Sequence, residues 1–451
     1  MPKITVIMPS LNVAGYIRPC MESVLAQTMQ DMEILVIDAG SEDGTWEILQ
    51  EYAALDKRIN MMQSDRKSYG YQVNLGISLA RGEYVGIVET DDIILPDMYE
   101  ILYGAAKSTK ADYVKGVAEA FIETQRGENI CHFIKVFPQE KYDACDGAVE
   151  MIPSKSPELV LNDFYLWSGI YRKEFMKNIR LNESAGAAYQ DIGFMLQAHF
   201  KADWAVYIDR LVYRYRTDNA TSSCFNKNAF RYLVQEYEYV DQLLQEKNVE
   251  WYSVCYYKMF RQTRERIHMM ARSGEFWKEV IPDVNALAEK LKGAVKEDIL
   301  KKSVFDVGEW DELTCFLEDP KKLYDVYIES FTTKDNILRK LLEEGKSRKV
   351  VIFGCGRWGK FCHILLESRV SGMVLAYCSS NIGNQETRIQ GIEVLELGQA
   401  VRKYPNAQYI IASKFHAGEM REQLKALGMQ DGQITEYTLG VDTDLLHAQM
   451  V

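Results

Sequence analysis

Apolar and polar residues in the first 125 positions follow two alternating patterns. Short apolar runs at residues 4–8, 33–38 and 84–88 are typical of strands that are buried on both faces. Between these runs, apolar residues recur at helical spacing, as around residues 17–25 and 46–52, which is typical of amphipathic helices. Strands that alternate with helices predict an α/β fold with a mostly parallel sheet covered on both faces.

The rest of the chain predicts two further parts. The pattern is irregular over residues 126–225 and then becomes helical, with apolar side chains at helical spacing to about residue 344. After Gly345 a second strand–turn–helix pattern begins, which predicts a small α/β domain. We therefore expect three parts: residues 1–225, a helical region or linker over residues 226–345, and a C-terminal domain over residues 346–451.

Composition and charge exclude several classes of protein. The 451 residues are 47% hydrophobic and 26% charged with a net charge of -12, so neither a disordered chain nor a free-standing nucleic-acid binder is expected. The nine cysteines form no C-x-x-C pair, which argues against a disulfide framework and a structural zinc site. No apolar run reaches the ~18 residues of a membrane span, and the N-terminus lacks a signal-peptide profile. These features predict a cytoplasmic enzyme or scaffold.

Two adjacent carboxylates, Asp91 and Asp92, closely follow the third apolar run. In a parallel sheet, ligands bind at the carboxyl ends of the strands, and Asp38 ends the second run in the same way. Paired carboxylates are costly without a cation beside them, and Mn²⁺ or Mg²⁺ bound together with substrate phosphates satisfies them. The local pattern leaves a second interpretation open, a solvated turn in which Asp92 caps the next helix.

Three segments together resemble the inverting family-two glycosyltransferases of the GT-A fold. They are residues 4–12 (ITVIMPSLN), residues 36–45 (VIDAGSEDGT) and residues 82–92 (GEYVGIVETDD), in the order and spacing of that family. The resemblance implies transfer from a nucleoside-diphosphate sugar, with Mn²⁺ or Mg²⁺ stabilising the diphosphate as it leaves. By the same resemblance, the residues that contact the nucleotide sugar are Pro9, Ser10, Asn12, Asp38, Asn74 and Asp91, and the metal contact is Asp92.

Two positions depart from the family pattern. Ala39 stands where many members carry a second acid that contacts the pyrimidine ring. Gln72-Val73-Asn74 stands where many carry Ala-Arg-Asn. Because UDP is the commonest donor nucleotide in the family, a UDP-linked sugar is the donor that the resemblance favours.

An inverting transfer also needs a base for the proton of the attacking hydroxyl. Residues 189–194 (YQDIGF) resemble the family segment that carries this base, with Asp191 as the acid and Gln190 in place of the usual Glu. The bare pattern is equally typical of an acid in the first turn of a helix. Trp167 resembles the aromatic residue that lines the family's acceptor pocket, although a lone Trp is more often part of a core.

Arg214 and Arg216 lie in an alternating run of Tyr and Arg where the family closes its site. Either guanidinium is able to bind a diphosphate bidentately. The same alternation is typical of an ordinary half-exposed strand, which is the interpretation that the pattern favours.

The C-terminal part carries G-x-G-x-x-G, formed by Gly354, Gly356 and Gly359, between a predicted strand and a predicted helix. That context is right for a dinucleotide fingerprint, but the next strand ends in Cys378-Ser379 without the acid that binds the ribose. We therefore expect a Rossmann-like domain for docking, oligomerisation or weak ligand sensing, and no tightly bound NAD.

These features favour a metal-dependent glycosyltransferase with a GT-A domain over residues 1–225. The resemblance to the family implies a surface glycan or a lipid-linked glycan as the acceptor. Two alternatives stay open, a sugar nucleotidyltransferase and a GT-A scaffold that has lost its activity. An amphipathic face in the helical region is compatible with peripheral contact at the inner face of a membrane.

Overall fold

The computed structural model of the chain describes residues 1–124, 127–186, 188–219, 228–245, 249–274, 278–306, 308–345, 349–380, 387–413 and 416–437. Contacts divide the chain into two compact units. The first comprises Met1–Ala120, Phe133–Arg266 and Trp277–Lys321, and the second comprises Phe121–His132, Ile267–Phe276 and Lys322–Val451.

The larger sheet has ten strands among the described residues. They are β1 (Ile4–Ser10), β2 (Met32–Asp38), β3 (Ile59–Gln63), β4 (Tyr84–Ile87), β5 (Ile93–Ile94), β6 (Tyr113–Thr124), β7 (Gly127–Ile134), β8 (Ala148–Met151), β9 (Gly169–Arg172) and β10 (Ala205–Arg216). Their order is β3-β2-β1-β4-β9-β6-β10-β5, with β7 paired to β6 and β8 paired to β10. Strands β1 to β4 are parallel, whereas β9 runs antiparallel to both β4 and β6.

Helices follow most of these strands. They are α1 (Ile17–Leu25), α2 (Thr45–Leu55), α3 (Tyr69–Leu79), α4 (Met98–Thr109), α5 (Gln139–Asp143), α6 (Leu159–Asn162), α7 (Lys173–Met176), α8 (Gln190–Lys201), α9 (Ala229–Leu244), α10 (Val249–Arg272), α11 (Ile281–Lys296), α12 (Glu309–Glu318) and α13 (Pro320–Gly345). Helices α9, α11 and α12 belong to the first unit. No helix in the described part of the chain combines the length and the apolar character that crossing a membrane requires.

The parallel part of the sheet is covered on both faces, as the apolar runs predict. Val6 of β1 packs in one hydrophobic cluster with residues of α1 and α4, whereas its neighbour Ile7 packs in another with residues of α3 and α8. This alternation follows from the two-residue repeat of a strand. Helix α3 approaches β1 closely at Gly76, where a Cβ atom would lie 2.6 Å from Ile7 Cγ2.

The second unit contains a sheet of six strands among the described residues. Its elements are β11 (Val350–Phe353), α14 (Arg357–Arg369), β12 (Val374–Ser379), β13 (Arg388–Ile389), β14 (Ile392–Glu396), α15 (Leu397–Lys403), β15 (Gln408–Ile411), α16 (Ala417–Ala426) and β16 (Ile434–Glu436). The order is β13-β14-β12-β11-β15-β16, and only β13 runs antiparallel to its neighbour. The α/β fold class and the Rossmann-like C-terminal sheet are confirmed.

Candidate active site

The carboxyl ends of β1 and β2 lie side by side, because Ser10 pairs with Asp38 in the register of these strands. The buried Asp38 carboxylate accepts hydrogen bonds at Oδ1 from the backbone N–H groups of Gly40 and Ser41, at 2.9 and 2.8 Å. The Ser41 hydroxyl donates to Asp38 Oδ2 at 2.6 Å. These three bonds hold the turn after β2 against the strand end, so Asp38 shapes the loop that the resemblance assigns to the nucleotide.

Asn12 fixes the same turn from the β1 side. Its φ of 53° lies in the left-handed region, which Asn adopts more readily than most residues. Asn12 Oδ1 accepts a hydrogen bond from the Glu42 N–H at 2.9 Å, and the Asn12 N–H donates to the Ser41 hydroxyl at 2.8 Å. The Pro9 carbonyl accepts from the Thr90 hydroxyl at 3.0 Å. The loops after β1, β2 and β4 are thus joined at one edge of the sheet.

Gln72, which departs from the family pattern, joins the ends of β1 and β2. Its Nε2 donates to the carbonyl oxygens of Ser10 and Ile37, at 3.0 and 2.6 Å. The Ser10 hydroxyl is buried and has no hydrogen-bond partner within the described ranges. Because a buried hydroxyl without a partner is uncommon and costly, Ser10 Oγ is a candidate for contact with a ligand.

The Asn74 side chain forms its hydrogen bonds away from these strand ends. Its Nδ2 donates to the Leu181 carbonyl and to Glu183 Oε1, both at 3.0 Å, and its Oδ1 accepts from the Leu181 N–H at 3.0 Å. In this structure Asn74 therefore holds residues 181–183 against α3. Its contact with the nucleotide stays a prediction.

Asp91 and Asp92 lie just beyond β4 and are held by the segment at the end of β10. Asp92 is fully buried; its Oδ2 accepts from the Tyr213 hydroxyl at 2.8 Å and its Oδ1 from the Arg216 N–H at 2.7 Å. Asp91 Oδ2 accepts from the Asn219 side-chain amide at 2.7 Å. We call Ser10, Asp38, Asp91 and Asp92 the strand-end cluster.

Glu89 adds a third carboxyl group two residues before the acidic pair. Its carboxyl accepts a short hydrogen bond from the Tyr69 hydroxyl, and burial raises its pKa to about 8. Burial likewise raises the pKa of Asp91, and burial together with repulsion from Asp91 raises the pKa of Asp92 well above its usual range. Negative charge is therefore poorly compensated here, as at a site built for a cation.

These residues fit a metal ion whose ligands come partly from the protein and partly from the substrate. No group of three His, Cys, Asp or Glu side chains within the described ranges is arranged to hold a metal ion by itself. Each oxygen of Asp92 accepts one hydrogen bond and keeps a further lone pair for a ligand. Mg²⁺ is commonly bound by one or two carboxylates plus substrate phosphates, so Asp92 and Asp91 would hold such an ion.

Asp191 lies in the first turn of α8 and is electrostatically coupled to the acidic residues after β4. Tyr189, directly before the helix, has a φ of 70°, which is uncommon for an aromatic residue. Burial raises the pKa of Asp191 to about 6, against the opposing effect of the Lys258 ammonium. Repulsion from Asp91 and Asp191 adds to the effect of burial in raising the pKa of Glu89.

Trp167 lies inside a wall of stacked rings and is only 4% exposed. Its ring stacks on Tyr213 and Tyr215, with centroids at 4.4 and 5.2 Å, and lies 4.7 Å from Tyr165. Tyr165 in turn lies 4.1 Å from Phe164. We call Phe164, Tyr165, Trp167, Tyr213 and Tyr215 the aromatic wall. Trp167 is central to it, and direct contact of this residue with an acceptor stays a prediction.

A buried polar network holds the start of this wall. Lys115 and Asp163 form an ion pair with side chains 2% and 1% exposed, and the Lys115 ammonium also donates to the Tyr165 carbonyl. The Tyr207 hydroxyl donates to Asp163 Oδ2 at 2.7 Å, and His199 Nε2 lies 3.0 Å from the Asp163 carbonyl oxygen. Burial lowers the pKa of His199, which favours the neutral ring.

The two arginines of β10 differ in their contacts. Arg214 donates from Nε to Glu119 Oε1 at 2.8 Å, as expected for an ordinary strand position. Arg216 is buried, donates from Nε to the Asp91 carbonyl at 3.1 Å and lies 3.3 Å from Asp218. The structure therefore places Arg216 beside the acidic pair, whereas Arg214 forms an ion pair with Glu119.

A cleft of about 410 Å³ opens beside the loop that precedes Asp191. Its lining residues are Lys67, Ala185, Gly186, Asn228, Arg231, Tyr232 and Gln235. None of the predicted site residues lines it, although Gly186 pairs with Ser68 at the start of α3.

Sequence reasoning missed four residues that surround the predicted site: Tyr69, Glu89, Tyr213 and Lys258. Glu89 lies two residues before the acidic pair in the sequence, so its position was a usable signal. The roles of Tyr69, Tyr213 and Lys258 depend on contacts over long sequence separations, which no local pattern indicates.

Comparisons with known proteins concern the N-terminal part of the chain above all. Residues 5–188 match the sequence profile of Glycosyl transferase family 2. The chain is 27% identical over 255 residues to the putative glycosyltransferase EpsH of Bacillus subtilis, covering 55% of this chain and 70% of EpsH. It is 37% identical over 100 residues to a chondroitin synthase of Escherichia coli, covering 22% of this chain and 15% of that protein.

A solved structure shares the fold. The crystal structure of S. aureus TarS 1–349 in complex with UDP-GlcNAc superposes with a TM-score of 0.51 at 20% identity, covering 73% of this chain and 92% of that chain. At this identity the likeness concerns the fold alone. The profile match and the shared fold support a family-2 glycosyltransferase domain of the GT-A fold in the N-terminal part of the chain.

Proposed function

We propose that this protein transfers a sugar from a UDP-linked donor to a hydroxyl group of a glycan, with inversion at the anomeric carbon and with Mn²⁺ or Mg²⁺. The observation that carries the proposal is the acidic pair beyond β4, inside the residues that match the family profile, where the Tyr213 hydroxyl bonds to Asp92 and the Asn219 amide bonds to Asp91. The TarS structures with UDP and UDP-GlcNAc support the donor, and the likeness to a chondroitin synthase supports a glycan acceptor.

The strand-end cluster is the proposed donor site. The Ser10 hydroxyl is free to bond the nucleotide, while Asn12 and Asp38 hold the loop against which the nucleotide lies. Asp92, with Asp91 beside it, would hold the metal. When bound, the metal neutralises the charge that develops on the diphosphate leaving group.

Asp191 is the proposed general base. Its carboxylate takes the proton of the acceptor hydroxyl while that oxygen bonds to the anomeric carbon, and the bond from this carbon to the diphosphate breaks. A carboxyl with a pKa of about 6 is mostly ionised at neutral pH and becomes protonated in acid. We therefore expect the transfer rate to fall as the pH drops through about 6.

Substitution of the base tests the proposal. Asp191→Asn keeps the shape of the side chain but cannot take a proton, so the transfer rate at neutral pH should fall by roughly 10²–10⁴-fold. Binding of the UDP-sugar in the presence of Mn²⁺, measured by calorimetry, should stay close to that of the wild-type protein. Asp203→Asn is the matched control, because Asp203 is an exposed acid just beyond the other end of α8.

The two measurements separate the alternatives. An unchanged transfer rate in Asp191→Asn would show that Asp191 is only a first-turn acid of the helix. Loss of donor binding would place Asp191 in the nucleotide site instead. Transfer that proceeds fully in excess chelator would contradict the metal requirement.

A further inference from the structure

The cleft beside the loop that precedes Asp191 carries an uncompensated positive charge. All of its lining residues belong to the first unit, and two of them, Lys67 and Arg231, are cations while none is an acid. Within the described ranges, neither side chain forms an ion pair or a hydrogen bond. Because the whole chain has a net charge of -12, two unpaired cations in one cleft depart from its average charge.

Gln235 adds a buried amide oxygen to the lining of the cleft. Its Oε1 is buried and has no hydrogen-bond partner among the described residues. A buried acceptor without a donor is uncommon and costly. A simple anion offers no hydrogen to this oxygen, whereas a sugar hydroxyl donates one. A saccharide that also carries a negative group therefore satisfies both the amide and the cations.

Tyr232 supplies an aromatic face in the same cleft. Gly186 has a φ of 98°, and a Cβ atom there would lie 2.6 Å from both Cζ and the hydroxyl oxygen of Tyr232. The ring thus lies directly against the backbone of the loop, where a glycine leaves room for it. A tyrosine ring offers an apolar face and a polar tip, which suits the mixed surface of a sugar ring.

The walls of the cleft are held in place by hydrogen bonds. Asn182 Nδ2 donates to the Gln235 carbonyl and to Glu236 Oε2, at 3.3 and 3.1 Å. Glu236 Oε1 accepts from the Gly193 N–H at 2.8 Å. These bonds fix α9 against both the loop and the first turn of α8. A volume of about 410 Å³ lies within the usual range of ligand sites, which are largely formed before the ligand binds.

The cleft is joined to the proposed site through Gly186. The Gly186 carbonyl accepts from the Tyr69 N–H at 3.0 Å and from Gln190 Nε2 at 3.4 Å. Gln190 directly precedes Asp191, and the Tyr69 hydroxyl donates to the Glu89 carboxyl. A ligand in the cleft therefore lies along the loop that leads to the proposed base.

We propose that this cleft binds an acidic sugar unit of the acceptor glycan, so that a hydroxyl of the same glycan is presented to Asp191. Lys67 and Arg231 pair with the carboxylate or phosphate of that unit, and Arg binds either group bidentately. Gln235 accepts from one of its hydroxyls. The inference rests on the proposed function and narrows its acceptor to a negatively charged glycan. Arg231 and Gln235 lie beyond the family-matched residues 5–188.

The donor diphosphate is the other negatively charged group in the proposed reaction. The strand-end cluster is the proposed donor site, and none of its four residues lines the cleft. We therefore assign the cleft to the acceptor. Donor affinity is the measurement that distinguishes the two assignments.

The experiment measures acceptor binding to the full chain by calorimetry in the presence of UDP and Mn²⁺. The probes are a tetrasaccharide that alternates glucuronate with N-acetylglucosamine, the same tetrasaccharide with its carboxylates reduced to alcohols, and an oligosaccharide linked through phosphodiesters. We expect at least one charged probe to bind about tenfold more tightly than the neutral one, as two partly exposed charge pairs allow. The charged probe that binds more tightly identifies the negative group.

The double variant Lys67→Gln, Arg231→Gln should lose this preference and keep its affinity for UDP. Lys57→Gln, Lys296→Gln is the matched control, because it removes two exposed positive charges outside the cleft and should keep the preference. Gln235→Leu should weaken the charged and the neutral probe by a similar factor, since it removes a hydrogen bond and no charge.

Three results would overturn the inference. They are equal affinity of the wild-type protein for charged and neutral probes, no binding of any probe, and loss of UDP affinity in the double variant, which would assign the cleft to the donor. Full transfer by Asp191→Asn would instead overturn the proposed function. The binding preference does not depend on that result, so the two failures are distinguishable.

Discussion

The strand-end cluster and the aromatic wall are assembled in different ways. The cluster comes from the first 92 residues, where the register of parallel strands places Ser10 beside Asp38. The wall joins residues 164–167 to residues 213–215 through ring stacking at 4.4 and 5.2 Å. One region is held mainly by backbone pairing and short loops, and the other by side-chain contacts between distant segments.

The two regions depend on contacts over different distances in the sequence. Asp38 is held by backbone groups two and three residues further along the chain, so its geometry follows once β2 forms. Asp163 is held by Lys115 and Tyr207, which lie 48 and 44 residues away in the sequence. We therefore expect changes in the wall to affect folding and acceptor use, and changes in the cluster to affect donor turnover.

The largest expected effect comes from breaking the ion pair below the wall. Asp163→Asn leaves the Lys115 ammonium buried without its partner, which typically costs about 3–5 kcal/mol of unfolding free energy. Urea denaturation should show a lower midpoint. In variant protein that is still folded, UDP-sugar binding should persist while transfer declines.

The matched control restores charge balance. In the double variant Lys115→Met, Asp163→Asn no buried charge is left unpaired, so most of the lost stability should return. If Asp163→Asn unfolds at the same urea concentration as the wild-type protein, the ion pair does not hold the wall.

The next largest effect concerns the acidic pair. Asp92→Asn keeps a hydrogen-bond acceptor for the Arg216 N–H but loses the charge that would hold a metal. Removal of a group that stabilises developing charge costs about 10²–10³-fold in kcat. Donor turnover should fall by at least this factor and no longer respond to added Mn²⁺. Asp97→Asn, at a half-exposed acid paired with Arg210, should have little effect. Full Mn²⁺ stimulation of Asp92→Asn would refute the metal assignment.

The smallest expected effect is an increase in the stability of the protein together with weaker binding of the UDP-sugar. Ser10→Ala removes a buried hydroxyl without a described partner, so the free energy of unfolding should rise by about 1 kcal/mol. UDP-sugar affinity should fall by a few-fold, as expected for loss of one hydrogen bond worth about 0.5–1.5 kcal/mol. Ser23→Ala is the control, because the Ser23 hydroxyl donates to the Cys20 carbonyl at 2.7 Å and its loss should destabilise. A less stable Ser10→Ala protein would show that the hydroxyl is already satisfied.

Much of the donor side was predictable from the amino-acid sequence, and less of the acceptor side was. The apolar runs predicted β1, β2 and β4. Because acidic residues follow two of these strands, the sequence also predicted that Asp38, Asp91 and Asp92 lie at one edge of the sheet. The sequence also indicated that Asp191 begins a helix. It gave no sign that the Asn74 amide bonds to residues 181–183, because that contact spans 107 residues.

The sequence by itself determined the α/β class, the parallel strands and the acidic pair, because strand and helix periodicity and short motifs are local properties. Only the tertiary structure decided which buried groups meet. It placed the Tyr69 hydroxyl on Glu89, the Tyr213 hydroxyl on Asp92, and the Lys258 ammonium on the ring of Phe164. Protonation and charge balance depend on burial and on neighbours from distant segments, and these exist only once the chain has folded.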